Sequence, residues 1–258
     1  MARAKGSLIL TEGRSGSNWL ISLTNGTGFL GNSGEWFSSW FLRNPMPKNQ
    51  EELIDRVLAK ASTSNGYFCV KIFPAHVHFV QIKFGFDLIK YFMDEHDTNL
   101  VRLTRRDRMR QAISYARGIQ TNQWTKSNPK RAEAEYDFDF ICRCYFLLSR
   151  SDAYWNAYLE LRQLEPDCFV YEDLLGTPEK FVNCISDHCG RAVSSLPESK
   201  HSIQRDARTE EWLARFVEDV GQRGIVEPST PTRHPPGTAS NLVRLFRGKA
   251  LKPYPYTF

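Results

Sequence analysis

The sequence lacks several signatures that would assign it quickly, and each gap excludes something. Its six cysteines, Cys69, Cys142, Cys144, Cys168, Cys184 and Cys189, include no Cys-x-x-Cys pair, so neither a zinc ribbon nor a redox disulfide motif is indicated. Several fall within apolar segments, which predicts buried free thiols. No histidine cluster or acidic pair marks a metal centre. No apolar run approaches the ~20 residues needed to span a bilayer, and the N-terminal apolar stretch from Ser7 to Thr11 is too short for the core of a secretory signal. These gaps predict a cytoplasmic protein without a transmembrane segment, peripheral membrane association being left open. The net charge of +5 over 258 residues suits an anionic ligand. The densest basic stretch, Arg105-Arg106-Asp107-Arg108-Met109-Arg110, adjoins a helical pattern, so a nucleic-acid partner is not expected.

What is present begins near the N-terminus. The apolar run Leu8-Ile9-Leu10-Thr11 ends in Gly13-Arg14-Ser15-Gly16-Ser17-Asn18, and a helix-compatible segment follows at once. A strand, a tight small-residue loop and a helix start form an anion cradle, because the first helical turn leaves N–H groups unpaired and carries partial positive charge. Gly16 permits close backbone approach, Ser15 and Ser17 add hydroxyls, and Arg14 adds a planar charged fork. No Gly-Lys-Ser/Thr ends the loop. The lysine for a γ-phosphate and the hydroxyl for magnesium are both missing, which argues against a kinase of the Walker type.

Strand and helix signals then alternate. Helices are predicted over Ser17–Leu23, Gln50–Ala61, within Val77–Phe92, from the basic cluster to about Trp124, within Ala132–Leu164 as one or two segments, and over Pro178–Cys189. Strands are predicted at Leu8–Thr11, Tyr67–Phe73, Asn99–Thr104 and Cys168–Tyr171. Strands separated by helices imply an α/β fold whose central parallel sheet is covered on both faces. Residues 1–226 form the expected domain. Residues 227–258, which open on a Pro/Ser/Thr-rich piece, form an extension expected to wrap the same domain.

A second anion site is suggested where the strand at Asn99–Thr104 delivers Arg105 and the next helix brings Ser114 two turns later to the same sheet edge, the edge where open α/β sheets bind ligands. A solvated basic helix face with a structural serine fits the same residues. Two such sites at neighbouring strand ends suit a ligand with two separated phosphates.

Taken in order, several segments resemble bacterial PAPS-dependent sulfotransferases of the trehalose 2-sulfotransferase type. They are Arg14-Ser15-Gly16-Ser17, Gly34-Glu35-Trp36-Phe37, Lys71 in its strand, Arg105 through Ser114, and Gln120-Thr121 with Trp124. Late in the chain come Tyr171-Glu172-Asp173-Leu174 and Gln204-Arg205-Asp206-Ala207-Arg208 before Trp212. The resemblance spans roughly residues 7 to 216. It implies a P-loop-like sulfotransferase fold and, as co-substrate, 3'-phosphoadenosine-5'-phosphosulfate (PAPS), with no metal. It implies that Arg14, Ser15, Gly16, Ser17 and Asn18 hold the 5'-phosphosulfate and that Arg105 and Ser114 hold the 3'-phosphate. Arg106 competes with Arg105, since related eukaryotic enzymes space arginine and serine one residue closer. Glu35 aligns with the catalytic base, and Gln204 and Arg205 lie in the segment that closes over the nucleotide. Ile203 departs there from the family's arginine, and Arg205 is its candidate substitute. The implied acceptor is a hydroxyl of a carbohydrate or glycolipid. Oligomeric state stays open, a homodimer included.

The chemistry of sulfuryl transfer gives each residue a role to be weighed against a plainer one. Glu35 is placed to take a proton from the acceptor hydroxyl, and burial beside Trp36 is expected to raise its pKa; an exposed loop glutamate is the alternative. Lys71 would polarise the sulfuryl group or position the acceptor, against a strand-end lysine extending to water. Trp36, Phe37, Trp40 and Trp124 offer a stacking surface for a sugar, or core packing. His76 and His78 flank a turn beside the site. A nucleotide-binding or interaction module of the same fold without turnover is the reading from another functional class.

Overall fold

The computed structural model describes residues 3–42, 45–124, 132–199 and 207–225, the side chains of Ser39 and Trp40 excepted. The first strand, β1, runs Lys5–Thr11 and sits inside a parallel sheet. On one side it pairs with Tyr67–Ile72 (β2) and on the other with Asp97–Thr104 (β3), beyond which lies Asp167–Val170 (β4). The sheet order β2-β1-β3-β4 with all pairs parallel is the expected α/β architecture. The strand β1 begins three residues earlier than its apolar run. Gly6 continues it because a Cβ there would fall 2.3 Å from Phe68, and the Ser7 hydroxyl is satisfied by that of Tyr67 at 2.6 Å.

Alternation along the strands sorts the core onto two faces. Leu8, Leu10, Phe68, Val70 and Ile72 face one layer. That layer is built by Gln50–Ala61 (α3), Pro74–Phe84 (α4), Leu88–Glu95 (α5) and the long Phe138–Arg162 (α7). Ile9, Cys69, Val101 and Leu103 face the other, against Ser17–Gly26 (α1) and Glu179–Cys189 (α8). A third cluster joins Arg108–Thr121 (α6), α7 and Ala207–Gln222 (α9) through Ala112, Ile141, Trp212 and Phe216. A short helix, Ser39–Leu42 (α2), precedes α3.

Several boundaries depart from the sequence reading for local reasons. The segment Val77–Phe92 is two helices, because Gly85 takes the left-handed conformation at φ 76° that ends α4. Asp87 then caps α5 by accepting from the Lys90 amide. Pro74, read as closing a strand, is also the first residue of α4, where its missing N–H costs nothing. The Ala132–Leu164 stretch is one helix that starts only at Phe138, capped by Asp137. Tyr171 leaves the strand for a 3-10 turn, Tyr171–Leu174. Of the six thiols, Cys69, Cys142 and Cys144 are buried as expected, but Cys168 is exposed, being on the outermost strand β4 among those described.

Three side chains hold the carboxyl end of β1 to what lies behind it. The Trp155 indole of α7 donates to the Thr11 carbonyl at 3.1 Å. Thr11 Oγ1 donates to the Leu103 carbonyl of β3 at 2.8 Å. Arg102, buried in β3, pairs with both Glu12 and Asp152. Trp155 is wholly buried, so Trp155→Ala should remove about 3–5 kcal/mol of stability, read as a lower midpoint in urea unfolding; a change below about 1 kcal/mol would show that α7 does not anchor this strand end.

Candidate active site

Parallel strands end on one edge, and here β2, β1 and β3 deliver Lys71, the Gly13–Ser17 loop and Arg105 side by side. Because Thr11 pairs with Leu103, the two loops expected to bind anions leave adjacent strands, about 5 Å apart at the backbone.

The first loop is tight. Gly16 takes φ 85° at the start of α1, and a Cβ there would lie 2.1 Å from the Tyr171 ring, so conformation and space both require glycine. Arg14 is also left-handed, at φ 61°, a strained state for a residue with a side chain. Ser15 is buried and its hydroxyl donates to Thr11 Oγ1 at 2.7 Å, since the Thr11 proton goes to Leu103. That hydroxyl therefore braces the loop. No side chain caps the N-terminus of α1 and no acid stands in its first turn, which leaves the loop amides and the Ser17 hydroxyl as the donors at this end.

Arginines converge on the adjoining flank. Arg14 Nε donates to Ser114 Oγ at 2.8 Å and its Nη1 to the Trp124 carbonyl at 2.7 Å. Arg105 donates to the Arg14 carbonyl at 3.0 Å and stacks over Tyr171, 5.1 Å from its centroid. Burial, reinforced by the charges of Arg105 and Arg117, lowers the Arg14 pKa to about 10. Buried cations drawn this close would be relieved by an anion. Arg106, the competitor, points outward in a two-pronged pair with Asp173 at 2.8 and 2.7 Å. Glu172 accepts from the Arg106 and Asp107 amides and so pins the turn between β3 and α6. Gln111 donates to the Gly13 carbonyl at 2.7 Å, tying α6 to the first loop. Arg117 was missed in the sequence reading. It lies one helical turn beyond Ser114 and also bonds Thr209 and stacks on Trp212 of α9; its i+3 spacing from Ser114 was the available signal.

On the opposite flank Lys71 does not extend to water. Only 3% of its side chain is exposed, and Nζ lies 2.9 Å from Glu35 Oε1 while donating to Asn18 Oδ1 at 2.6 Å. The loop carrying Glu35 is held alongside β2 by the Lys71 amide donating to the Gly34 carbonyl at 3.1 Å, and by Asn25 clamping Ser33 through both its amide atoms. Gly31, at φ 80°, fits a corner where a Cβ would lie 2.4 Å from the Cys69 nitrogen. The Glu35 carboxylate thus stands at the first turn of α1, joined to it through Lys71 and Asn18.

The expected upward shift of Glu35 is corrected by this pairing. Burial does push its pKa up, but the charge and hydrogen bond of Lys71, with a smaller contribution from His76, bring the net value below the usual carboxylate range. His76 is buried, its Nδ1 accepts from the Phe73 amide at 3.3 Å, and burial lowers its pKa to about 4. It is a neutral support of the β2 end. Phe37 is wholly buried against Phe92, so it packs in the core and offers no stacking surface. Trp36 rests on Phe41 and donates to the Asn32 carbonyl, and Trp124 is partly exposed and edge-on to Tyr115. Gln204, Arg205, Asp206, the Trp40 side chain and residues 227–258 lie outside the described residues. Among the described residues no cluster of three or more His, Cys, Asp or Glu side chains is arranged to hold a metal, and no helix is long and apolar enough to cross a membrane.

An α/β protein with a tight strand-to-helix loop, a neighbouring arginine cluster and a lysine-held carboxylate on one sheet edge carries the kind of parts that a group-transfer enzyme uses. A family model described as Stf0 sulphotransferase matches residues 87–219, and the chain belongs to that family. It is 24% identical over 257 residues to the trehalose 2-sulfotransferase of Mycolicibacterium smegmatis, covering 84% of this chain and 96% of that one. To the trehalose 2-sulfotransferase of Mycobacterium tuberculosis it is 25% identical over 127 residues, 48% of each chain. A crystal structure of a sulfotransferase from Alicyclobacillus acidocaldarius superposes with a TM-score of 0.40 at 12% identity, covering 86% of this chain and 94% of that one.

The pairing of Glu35 with Lys71 has a pH consequence. Glu35 holds its proton less tightly folded than unfolded. Its ionised form therefore adds stability above the unfolded carboxylate pKa of about 4.3, and this is lost as pH falls through the lower folded value. In Lys71→Met burial is opposed only by the smaller contribution of His76, so the Glu35 pKa should rise, followed by carbon-13 NMR titration of the carboxyl. A Glu35 pKa unchanged in that variant would contradict the assigned cause.

Proposed function

We propose that the protein transfers the sulfuryl group of PAPS to a hydroxyl of a carbohydrate or glycolipid acceptor. The observation that carries this reading is the unbroken chain Glu35–Lys71–Asn18, which links a carboxylate to the first turn after the anion loop. In this reading Arg14, the amides of residues 14–18 and the Ser17 hydroxyl hold the 5'-phosphosulfate, while Arg105 and Ser114 hold the 3'-phosphate, Arg14 being joined to that second group through Ser114 and Arg117 adding a third cation. Gln204 and Arg205 belong to the closing segment.

The acceptor hydroxyl lies against Glu35. As its oxygen bonds to sulfur, its proton passes to the Glu35 carboxylate. The bond from sulfur to the bridging phosphate oxygen breaks, and that oxygen keeps the electron pair, leaving 3',5'-bisphosphoadenosine. The loop donors oppose the charge growing on the leaving phosphate, and Lys71 neutralises the sulfuryl oxygens. Approach of the sulfuryl oxygens to Lys71 weakens its hold on Glu35, which makes the carboxylate a better base when donor is bound. No step is routed through a metal. The names of the two mycobacterial relatives support a carbohydrate acceptor and make trehalose the first one to try.

Incubation with radiolabelled PAPS and a panel of sugars and glycolipids, trehalose included, should yield labelled product. Glu35→Gln should lower turnover at least a hundredfold while binding of 3',5'-bisphosphoadenosine stays within about twofold of wild type; full turnover in that variant would remove Glu35 as the base. Arg14→Ala should weaken bisphosphoadenosine binding by more than ~1.5 kcal/mol, the loss of a charge-assisted contact, measured by calorimetry. Wild-type protein that ignores bisphosphoadenosine would overturn the whole reading.

A further inference from the structure

The loop after β1 is held from behind by its carbonyls. The Gly13 carbonyl accepts from Gln111 Nε2 of α6 at 2.7 Å, and the Arg14 carbonyl accepts from Arg105, at the end of β3, at 3.0 Å. In a trans peptide the C=O and the N–H that follows it point in opposite directions. The amides of Arg14 and Ser15 are therefore turned away from the flank that Gln111 and Arg105 occupy. Arg14, at φ 61°, has the left-handed conformation found in anion-binding nests of successive N–H groups. Hydrogen bonds to two carbonyls thus fix the direction of two consecutive amides.

Gln111 is wholly buried, and which end of its amide meets the loop is decided by a neighbour. A glutamine can present either its oxygen or its NH2 group, and only the NH2 group can hold a carbonyl. Arg108 Nη1 donates to Gln111 Oε1 at 2.8 Å, so the oxygen is committed and Nε2 is left for Gly13. Arg108 is held in turn by Asp152 at 3.2 Å, Asp152 is shared with Arg102, and Arg102 pairs with Glu12, the residue just before Gly13. The contacts close a ring, Glu12–Arg102–Asp152–Arg108–Gln111–Gly13, that leaves the loop and returns to it through β3, α7 and α6. Glu12, Arg102 and Gln111 are all buried, so breaking the ring leaves a polar group unpaired away from water, which opposes any turn of the Gln111 amide.

Building on the sulfotransferase reading, we propose that Gln111 is a positioning residue for the 5'-phosphosulfate: it holds the Gly13 carbonyl away from the donor and so aims the loop amides at the 5'-phosphate, with Arg108 setting the end of the amide that does so. Gln111 acts through the loop backbone and does not itself contact the donor. Donors fixed in advance need no reorganisation when charge grows on the leaving phosphate, whereas a Gly13–Arg14 peptide free to turn would present its carbonyl to an anion. The 3'-phosphate lies outside this influence, because the Arg14 side chain is anchored separately at Ser114 and at the Trp124 carbonyl.

Gln111→Met tests this, since it keeps the length of the side chain and removes the donor. Calorimetry should show 3',5'-bisphosphoadenosine bound about tenfold more weakly than by wild type, while adenosine 3'-phosphate, which has no 5'-phosphate, stays within about twofold. Arg108→Met should weaken the bisphosphate alone in the same way but less, about threefold, and it carries the test by itself if Gln111→Met does not fold. The double variant should bind no more weakly than Gln111→Met, because Arg108 acts through the amide. Equal losses for the two nucleotides would overturn the proposal by showing a merely structural role. Unchanged bisphosphate affinity in both single variants would overturn it as well, and either result leaves the sulfotransferase reading intact. Wild-type protein that binds neither nucleotide would instead remove that reading, and this inference with it.

Discussion

Charge gathered at the carboxyl edge of a parallel sheet is the constraint on which the remainder of this structure depends. All four strands run the same way, so their ends bring Lys71, the anion loop and Arg105 to one rim. Lys71, Arg102 and Glu12 are there almost without solvent contact. An isolated ion in such surroundings would be far too costly, so each must have a partner. Lys71 has Glu35 and Asn18, and Arg102 has Glu12 and Asp152. The partners come from the loop before α2, from α1, from the loop after β1 and from α7. Pairing these charges therefore draws separate elements onto the same edge.

That arrangement divides the rim electrostatically. On the β3 side guanidiniums crowd together, and burial, with the charges of Arg105 and Arg117 added to it, lowers the Arg14 pKa. On the β2 side a lysine and a carboxylate neutralise each other. The Gly13–Ser17 loop lies between them, with no side chain capping the helix that follows it. Strain at Arg14 and the close contact of Gly16 with Tyr171 belong to this middle zone, where the backbone is held in a costly conformation by what surrounds it. The helix α6 lies against the loop through successive residues, Ser114 bonding Arg14 and Tyr115 covering Gly13.

Much of the framework was legible in the chain itself. The strand, small-residue loop and helix around Gly16 are encoded by near neighbours, as is the alternation that places Leu8 and Leu10 opposite Ile9. The ordered motifs also led to the right family. Where the chain left a choice open, tertiary contacts made it. Phe37 is core rather than a stacking ring, since α5 brings Phe92 against it. Arg105 and Arg106 were indistinguishable by spacing, and the Asp173 carboxylate, donated by a distant turn, draws Arg106 outward.

What the sequence determined by itself was therefore the kind of protein: parallel α/β, with an anion loop that lacks the triphosphate apparatus and a carboxylate and arginines in a recognisable order. Those features follow from helix periodicity, turn chemistry and residue type, which act over a few residues. Only the tertiary structure decided the protonation tendency of Glu35, the place of Arg117 near Arg14 and the outward turn of Arg106. Each of these depends on groups far apart in the chain and close in space, and a carboxyl's pKa answers to the ammonium a few ångströms away, whatever its sequence neighbours suggest.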